Sequence, residues 1–175
     1  MTDSYRKLQA AFFDKYQTAL QSIDLKDLNE EEENSYEIIK WEVEIGKELL
    51  EQPTNLVPLH QFWGTHLTMG QFAGGTSAQP FKTEKDYTNF LERMDKYAVW
   101  IDSAIVYIKK GIDKGVVLPR ALTLKLIPQF SEMSTPAVED NLFYSPIKLM
   151  PLSFPDGIKE DLTKKYTEAI NTRLI

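Results

Sequence analysis

The sequence predicts an all-α fold, a single irregular bundle of about five to seven helices with one long uncharged loop. Apolar residues recur at spacings of three and four in several separate stretches. The clearest of these, Thr83 to Pro119, has a helix start, two apolar stripes and a glycine-punctuated stop. Between Pro53 and Phe81, by contrast, there is no Asp, Glu, Lys or Arg, and the helical period fades.

Tyr5, Leu8, Phe12, Tyr16 and Leu20 mark a first helix face, widened by Phe13, and the pattern dissolves near Ser22 and Asp24. Asn29 can cap a second helix. Glu30 to Glu33 suit its positive end and read as a solvated first turn. Tyr36, Ile39, Trp41, Val43, Ile45, Leu49 and Leu50 are its expected buried residues, and Pro53 stops it. The uncharged segment that follows is rich in Leu, Phe and Trp, which argues against a solvated linker. It is expected to pack against something and to hold a short helical turn.

Thr83 and Asp86 form a capping box, so the next helix starts near Glu84. Tyr87, Phe90, Leu91 and Met94 share one face that belongs to the core. Tyr97, Ala98, Ile101, Ala104, Ile105 and Ile108 continue the period until Gly111 and Gly115 permit an end. Pro119 can open another helix through Ile127, which Pro128 is expected to kink or restart. The four prolines of the following stretch read as a long connection, and Ile158, Leu162, Tyr166, Ala169 and Ile170 mark a last helix.

A chain of 175 residues fits one domain and has the aromatic content for one core, with three Trp, eight Tyr and nine Phe. Twenty basic residues against 26 acidic ones give a net charge of −6, the wrong sign for a nucleic-acid partner or an anionic lipid surface. The absence of cysteine excludes thiolate catalysis and Cys-based zinc sites in this stretch. Prolines and glycines interrupt the uncharged segment, so no membrane span is expected. The first residues lack a signal-peptide core, yet a trimmed leader would leave the same start, and cytoplasm and periplasm both stay open.

Motifs for chemistry are few. His60 and His66 are spaced wrongly for one helical face, and as neighbours of aromatic residues they read as hydrogen-bonded structural groups rather than catalytic bases. Gly74-Gly75-Thr76-Ser77 could cradle an anion, with a flexible turn as the better reading. There is no Gly-x-Ser-x-Gly elbow and no phosphate loop. No catalytic and no metal-ligating residue is assigned.

The order Pro58-Leu-His-Gln61-Phe-Trp-Gly64, Asp86-Tyr87, Leu91-Glu-Arg93, Ile101-Asp-Ser-Ala-Ile105, Gly111, Gly115 and Pro119 resembles the bacterial domain-of-unknown-function family 885. Asn29 to Glu32 and Ser145-Pro146 extend the similarity over most of the chain. The resemblance implies a relation to zincin-like metallopeptidases, whose His-Glu-x-x-Pro-Gly-His motif holds zinc on a later helix. That motif is absent here, so no zinc ligand or general base carries over to any residue of this sequence.

The resemblance therefore implies that residues 1–175 are a single helical domain, the amino-terminal fragment of a longer protein. Its role would be a non-catalytic wall or cover for the substrate groove of a zinc-dependent, peptidase-like hydrolase. Zinc is expected only in the longer protein, and the expected partners are its downstream domain and a peptide substrate. His60, Gln61 and Arg93 are the candidate groove-lining residues, with an ion-pairing or surface arginine as the plainer reading of Arg93. Two other functions remain open. One is a self-contained helical interaction module that uses the aromatic Pro53 to Phe81 segment; the other is a small hydrolase with a Ser or carboxylate pair assembled only by the fold.

Overall fold

The computed structural model describes residues 2–75 and 77–175. Among them the protein is all-α, with seven α-helices, four short 3₁₀ turns and no strand. Two helices form a hairpin at one side, α1 (Asp3–Gln21) and α2 (Glu30–Glu51). The remaining five are α3 (Thr65–Ala73), α4 (Glu84–Asp113), α5 (Arg120–Met133), α6 (Ser145–Lys148) and α7 (Asp156–Arg173).

Helix α4 is the spine. The Thr83 hydroxyl accepts the Asp86 N–H while the Asp86 carboxylate accepts the N–H groups of Thr83 and Lys82, which closes the expected capping box and holds the Asp86 carboxyl below its usual range. Gly115, with φ +70°, turns the chain just beyond the helix end. Tyr87, Phe90, Met94 and Tyr97 of α4 are buried against Leu162, Tyr166, Ala169 and Ile170 of α7, Met69 and Ala73 of α3, and Phe143. The Phe90 ring stacks between Phe143 and Tyr166, with ring centres 6.3 and 6.4 Å away.

Polar atoms inside this core are paired. The Tyr87 hydroxyl donates to the Pro146 carbonyl and the Tyr166 hydroxyl to that of Tyr87, both at 3.1 Å. Burial pushes the Tyr87 and Tyr97 phenols up to about 12, and Tyr166 upwards too, so all three stay protonated donors. Asn141, also buried, donates to the carbonyls of Met133 and Thr135 and accepts from the Phe143 N–H, fixing the turn after α5.

Three expectations need correction. The uncharged segment is not one loop, because its centre is the nine-residue helix α3, whose His66, Met69, Gly70 and Ala73 are buried. Pro128 does not restart α5, which runs unbroken from Arg120 to Met133. The bond it forfeits belongs to the Leu124 carbonyl, on an exposed stretch where water can replace it. The apolar faces of α1 and α2 do not reach the core. Only Leu20 and Val43 are buried there, whereas Leu8 is 69% and Trp41 58% exposed.

The hairpin is held by its own seam and by its base. Lys47 bridges from α2 to Asp14 and Gln17 of α1. Arg6 donates to the carbonyls of Leu50 and Gln52. At the base, Asp3 accepts from Lys110 and Asn55, while its backbone N–H donates to the Tyr107 hydroxyl; the Lys110 contact holds its carboxyl below the usual range.

Candidate functional site

The connection from α2 to α3 enters with a 3₁₀ turn, Thr54–Leu56, that packs on the second half of α4. Its close approach is set by Gly111. A methyl group there would stand 2.6 Å from the Val116 carbonyl and 2.8 Å from that of Leu56. Residues 56–59 then run past the ends of α4 and α5 and leave a cavity of about 590 Å³ between the three elements. Leu59, Ile108, Leu126 and Phe130 wall it, and Ile112 and Ile127 stand exposed at its rim. Thr123, Ser131 and Ser134 contribute its hydroxyls, and no charged side chain lines it.

Beyond the cavity the chain forms an aromatic lip. The His60 ring lies on the Trp63 indole, with centres 3.5 Å apart and planes 12° from parallel, and the Phe62 N–H donates to His60 Nδ1. Phe62 and Trp63 are 72% and 66% exposed. Gly64 follows with φ +137°, a conformation that side chains with a Cβ avoid, and releases the chain into α3.

A half-buried relay anchors this lip to α5. Gln129 Nε2 donates to the Gln61 carbonyl and Gln129 Oε1 pairs with His66 Nε2, each at 3.2 Å. The His66 ring stacks on Phe130 and is fully buried, and its Nδ1 has no partner among the described residues. Amide geometry then fixes the tautomer. Gln129 Oε1 is an acceptor, so Nε2 carries the proton and Nδ1 keeps a lone pair. Burial lowers the His66 pKa, with the Gln129 contact opposing in part, which keeps the ring neutral.

Of the candidate residues, His60 and Gln61 belong to this lip, but Arg93 does not. Its guanidinium lies 5.1 Å from the Phe72 ring centre, at the far end of α3. Phe72 lies six positions beyond His66, about 9 Å along the helix axis. Gln61 acts through its carbonyl rather than its side chain, and Gln129, the residue joining lip, His66 and α5, carried no sequence signal because glutamine is ordinary on a helix surface. The Gly74-Gly75-Thr76-Ser77 run includes residue 76, which lies outside the described residues.

These groups do not fit a zinc site. His60 is committed to a stack, His66 is enclosed by Phe130 and Gln129, and no three His, Asp or Glu side chains gather among the described residues. Nor is any helix of the described residues long and apolar enough to cross a membrane.

The family model described as bacterial protein of unknown function (DUF885) matches residues 1–175. The chain belongs to the DUF885 family. No curated protein and no solved structure matches it. The resemblance seen in the Pro58 to Gly64 motif and the Leu-x-Arg helix thus holds over the full length of this DUF885 chain, and the motif's residues are those of the lip and its glycine exit.

Proposed function

We propose that this DUF885 segment is a non-catalytic helical wall that supports or covers the substrate groove of a longer protein. There, residues outside this stretch carry out a zinc-dependent, peptidase-like hydrolysis. The observation that carries the reading is the apolar cavity with its bare rim of Ile112 and Ile127. An opening of that kind fits a surface that works when something lies against it. The packing of both histidines, His60 stacked on Trp63 and His66 enclosed by Phe130 and Gln129, supports a wall rather than a reactive centre.

The test compares this chain with a longer family protein that carries His-Glu-x-x-Pro-Gly-His, measuring zinc content and hydrolysis of a peptide library for both. Zinc near one equivalent and activity in the longer protein alone are expected. Stoichiometric zinc or peptide cleavage by the 175-residue chain would sink the reading. The exposed Phe62 and Trp63 favour a second one, a self-contained module that docks a partner protein through the lip. It predicts a natural stop codon directly after Ile175.

A further inference from the structure

We propose that one side of the α1–α2 hairpin docks a cationic amphipathic helix of a partner protein. The surface is separate from the cavity. The hairpin base meets Tyr107 and Lys110 of α4, about 150° round that helix from Ile108 and Ile112, which belong to the cavity wall. An occupant of the cavity rim and an occupant of the hairpin therefore approach opposite flanks of α4.

The two hairpin helices turn apolar stripes to the same side. Lys47 crosses the seam to Asp14 and Gln17 on one side. On the other, a groove of about 180 Å³ opens between Tyr5, Gln9 and Phe13 of α1 and Gly46 and Leu49 of α2. Tyr5, Leu8, Phe12 and Tyr16 continue the α1 wall at spacings of three and four, and Ile38, Trp41, Ile45 and Leu49 do the same for α2. All of these except Ile45 are at least 40% exposed. With 19 residues α1 is about 28 Å long, the span of one helix of similar length laid along the groove. The groove floor, at Gly46 and Phe13, has room for one apolar side chain of such a helix.

Charge decides which helix fits. Residues 1–52 hold 13 of the 26 acidic residues and six of the 20 basic ones, a net charge of −7, while the rest of the chain has a net charge of +1. The acidic excess lies against the apolar stripes. Glu37, Glu44 and Glu48 form a row beside Trp41, and Glu42 stands four positions from Ile38 and seven from Leu49, within the α2 stripe. Glu37 pairs with Lys40, but Glu42, Glu44 and Glu48 are exposed and meet no basic side chain among the described residues. Lysine or arginine on the flanks of a docked helix supplies the missing partners, and its apolar side covers the stripes. A second copy would bring its own −7 against this one, and a fatty acid or an anionic lipid would add further negative charge.

The experiment titrates the 175-residue chain with three capped 18-residue peptides while backbone amide NMR shifts are followed. The first carries Leu on one helical stripe and Lys on its flanks, the second has Glu in place of each Lys, and the third scrambles the order so that no stripe remains. Saturable shifts confined to residues 3–21 and 30–54 are expected for the first, with about tenfold weaker binding of the other two. Phe12→Ser and Trp41→Ser, at exposed positions where folding tolerates them, should each weaken it about tenfold. Glu44→Lys combined with Glu48→Lys should weaken it to a similar degree. Glu160→Lys combined with Glu168→Lys, the same charge change at exposed positions of α7, should alter it less than about twofold.

Equal binding of the three peptides, or an equal loss from the α7 pair, would reduce the effect to bulk charge and overturn the proposal. So would a dimer of the free chain that Phe12→Ser dissolves in sedimentation, or adsorption to phosphatidylcholine vesicles that Trp41→Ser removes, because a second copy or a lipid surface would then be the occupant. Hairpin amides that are already protected in a longer family protein, and that the Lys peptide does not shift, would assign the face to that protein's own downstream part and overturn it as well. None of these readouts involves zinc, cleavage or the cavity, so this surface and the wall reading stand or fall separately.

Discussion

Helices α1 and α4 carry similar sequence patterns and meet different fates. Tyr87, Phe90, Met94 and Tyr97 of α4 recur at three- and four-residue spacings, as do Tyr5, Leu8, Phe12 and Tyr16 of α1. The α4 set is buried, and the α1 set is between 40% and 69% exposed. Periodicity therefore measures whether a helix has an apolar side but not whether this chain supplies the surface that covers it. For α4 that surface comes from α3, α7 and Phe143; for α1 it comes chiefly from α2, which leaves this set of residues exposed.

The largest effect should separate the two directly. Phe90→Ala removes a fully buried ring packed between two others, and should cost about 3–5 kcal/mol in urea or thermal unfolding. Phe12→Ala, from a ring that is 55% exposed, should cost less than about 0.5 kcal/mol. A loss for Phe12→Ala as large as that for Phe90→Ala would mean that the hairpin is covered in solution, and the contrast would collapse.

Two helical glycines make a finer comparison. A Cβ at Gly111 would press on two carbonyl oxygens of neighbouring backbone, so Gly111→Ala should destabilise by about 1–3 kcal/mol. A Cβ at Gly46, in α2, would meet only the outer atoms of the Phe13 ring. That ring is half-buried on the hairpin, and the atoms met are the far end of a side chain, which can shift where backbone carbonyls cannot. The gain of about 1 kcal/mol in helix propensity should then offset its displacement, leaving Gly46→Ala near neutral. Measured stabilities for the pair would show whether the hairpin seam yields where the α4 contact does not.

The same difference explains how much was legible in the sequence. Helix α4 could be read almost to the residue, because Thr83 and Asp86 fix its start and Gly111 and Gly115 frame its end. Helix α3 was hidden. Its start at Gly64 has no side-chain cap, it is only nine residues long, and its exposed face of Thr65, Thr68 and Gln71 carries no charge to set it off from the flanking uncharged segment. The lip was visible in part, since His60 and Gln61 stand in the family motif, but Gln129 reaches them across 68 residues and no local pattern records that. Arg93 was grouped with them by motif order, which carries no distance information.

The histidines extend the comparison to pH. His66 is buried and its pKa lowered below 6.5, so the unfolded chain takes up the proton first as pH falls. The stability His66 provides is whole above its unfolded value and is lost as pH drops through that value towards the folded one. Melting temperature should therefore fall between pH 7.5 and 5, and His66→Gln should flatten that slope. Parallel slopes for wild type and His66→Gln would show that the half-buried relay does not set this dependence.

The smallest effect comes from two capping boxes of the same design placed on the two regions. Thr83 with Asp86 starts α4, and Asn29 with Glu32 starts α2. Removing either cap to Ala should cost its helix about 1 kcal/mol. The consequences should differ, because the first turn of α4 carries Tyr87 into the core, whereas the first turn of α2 is solvated. Thr83→Ala should lower the global melting temperature. Asn29→Ala should instead speed hydrogen exchange in residues 30–36 with little change in global unfolding, as expected of a unit that opens by itself. An equal global loss for both variants would place the hairpin and the core in one cooperative unit. The bare apolar face of α1 would then belong to a rigid platform rather than to an arm that moves separately.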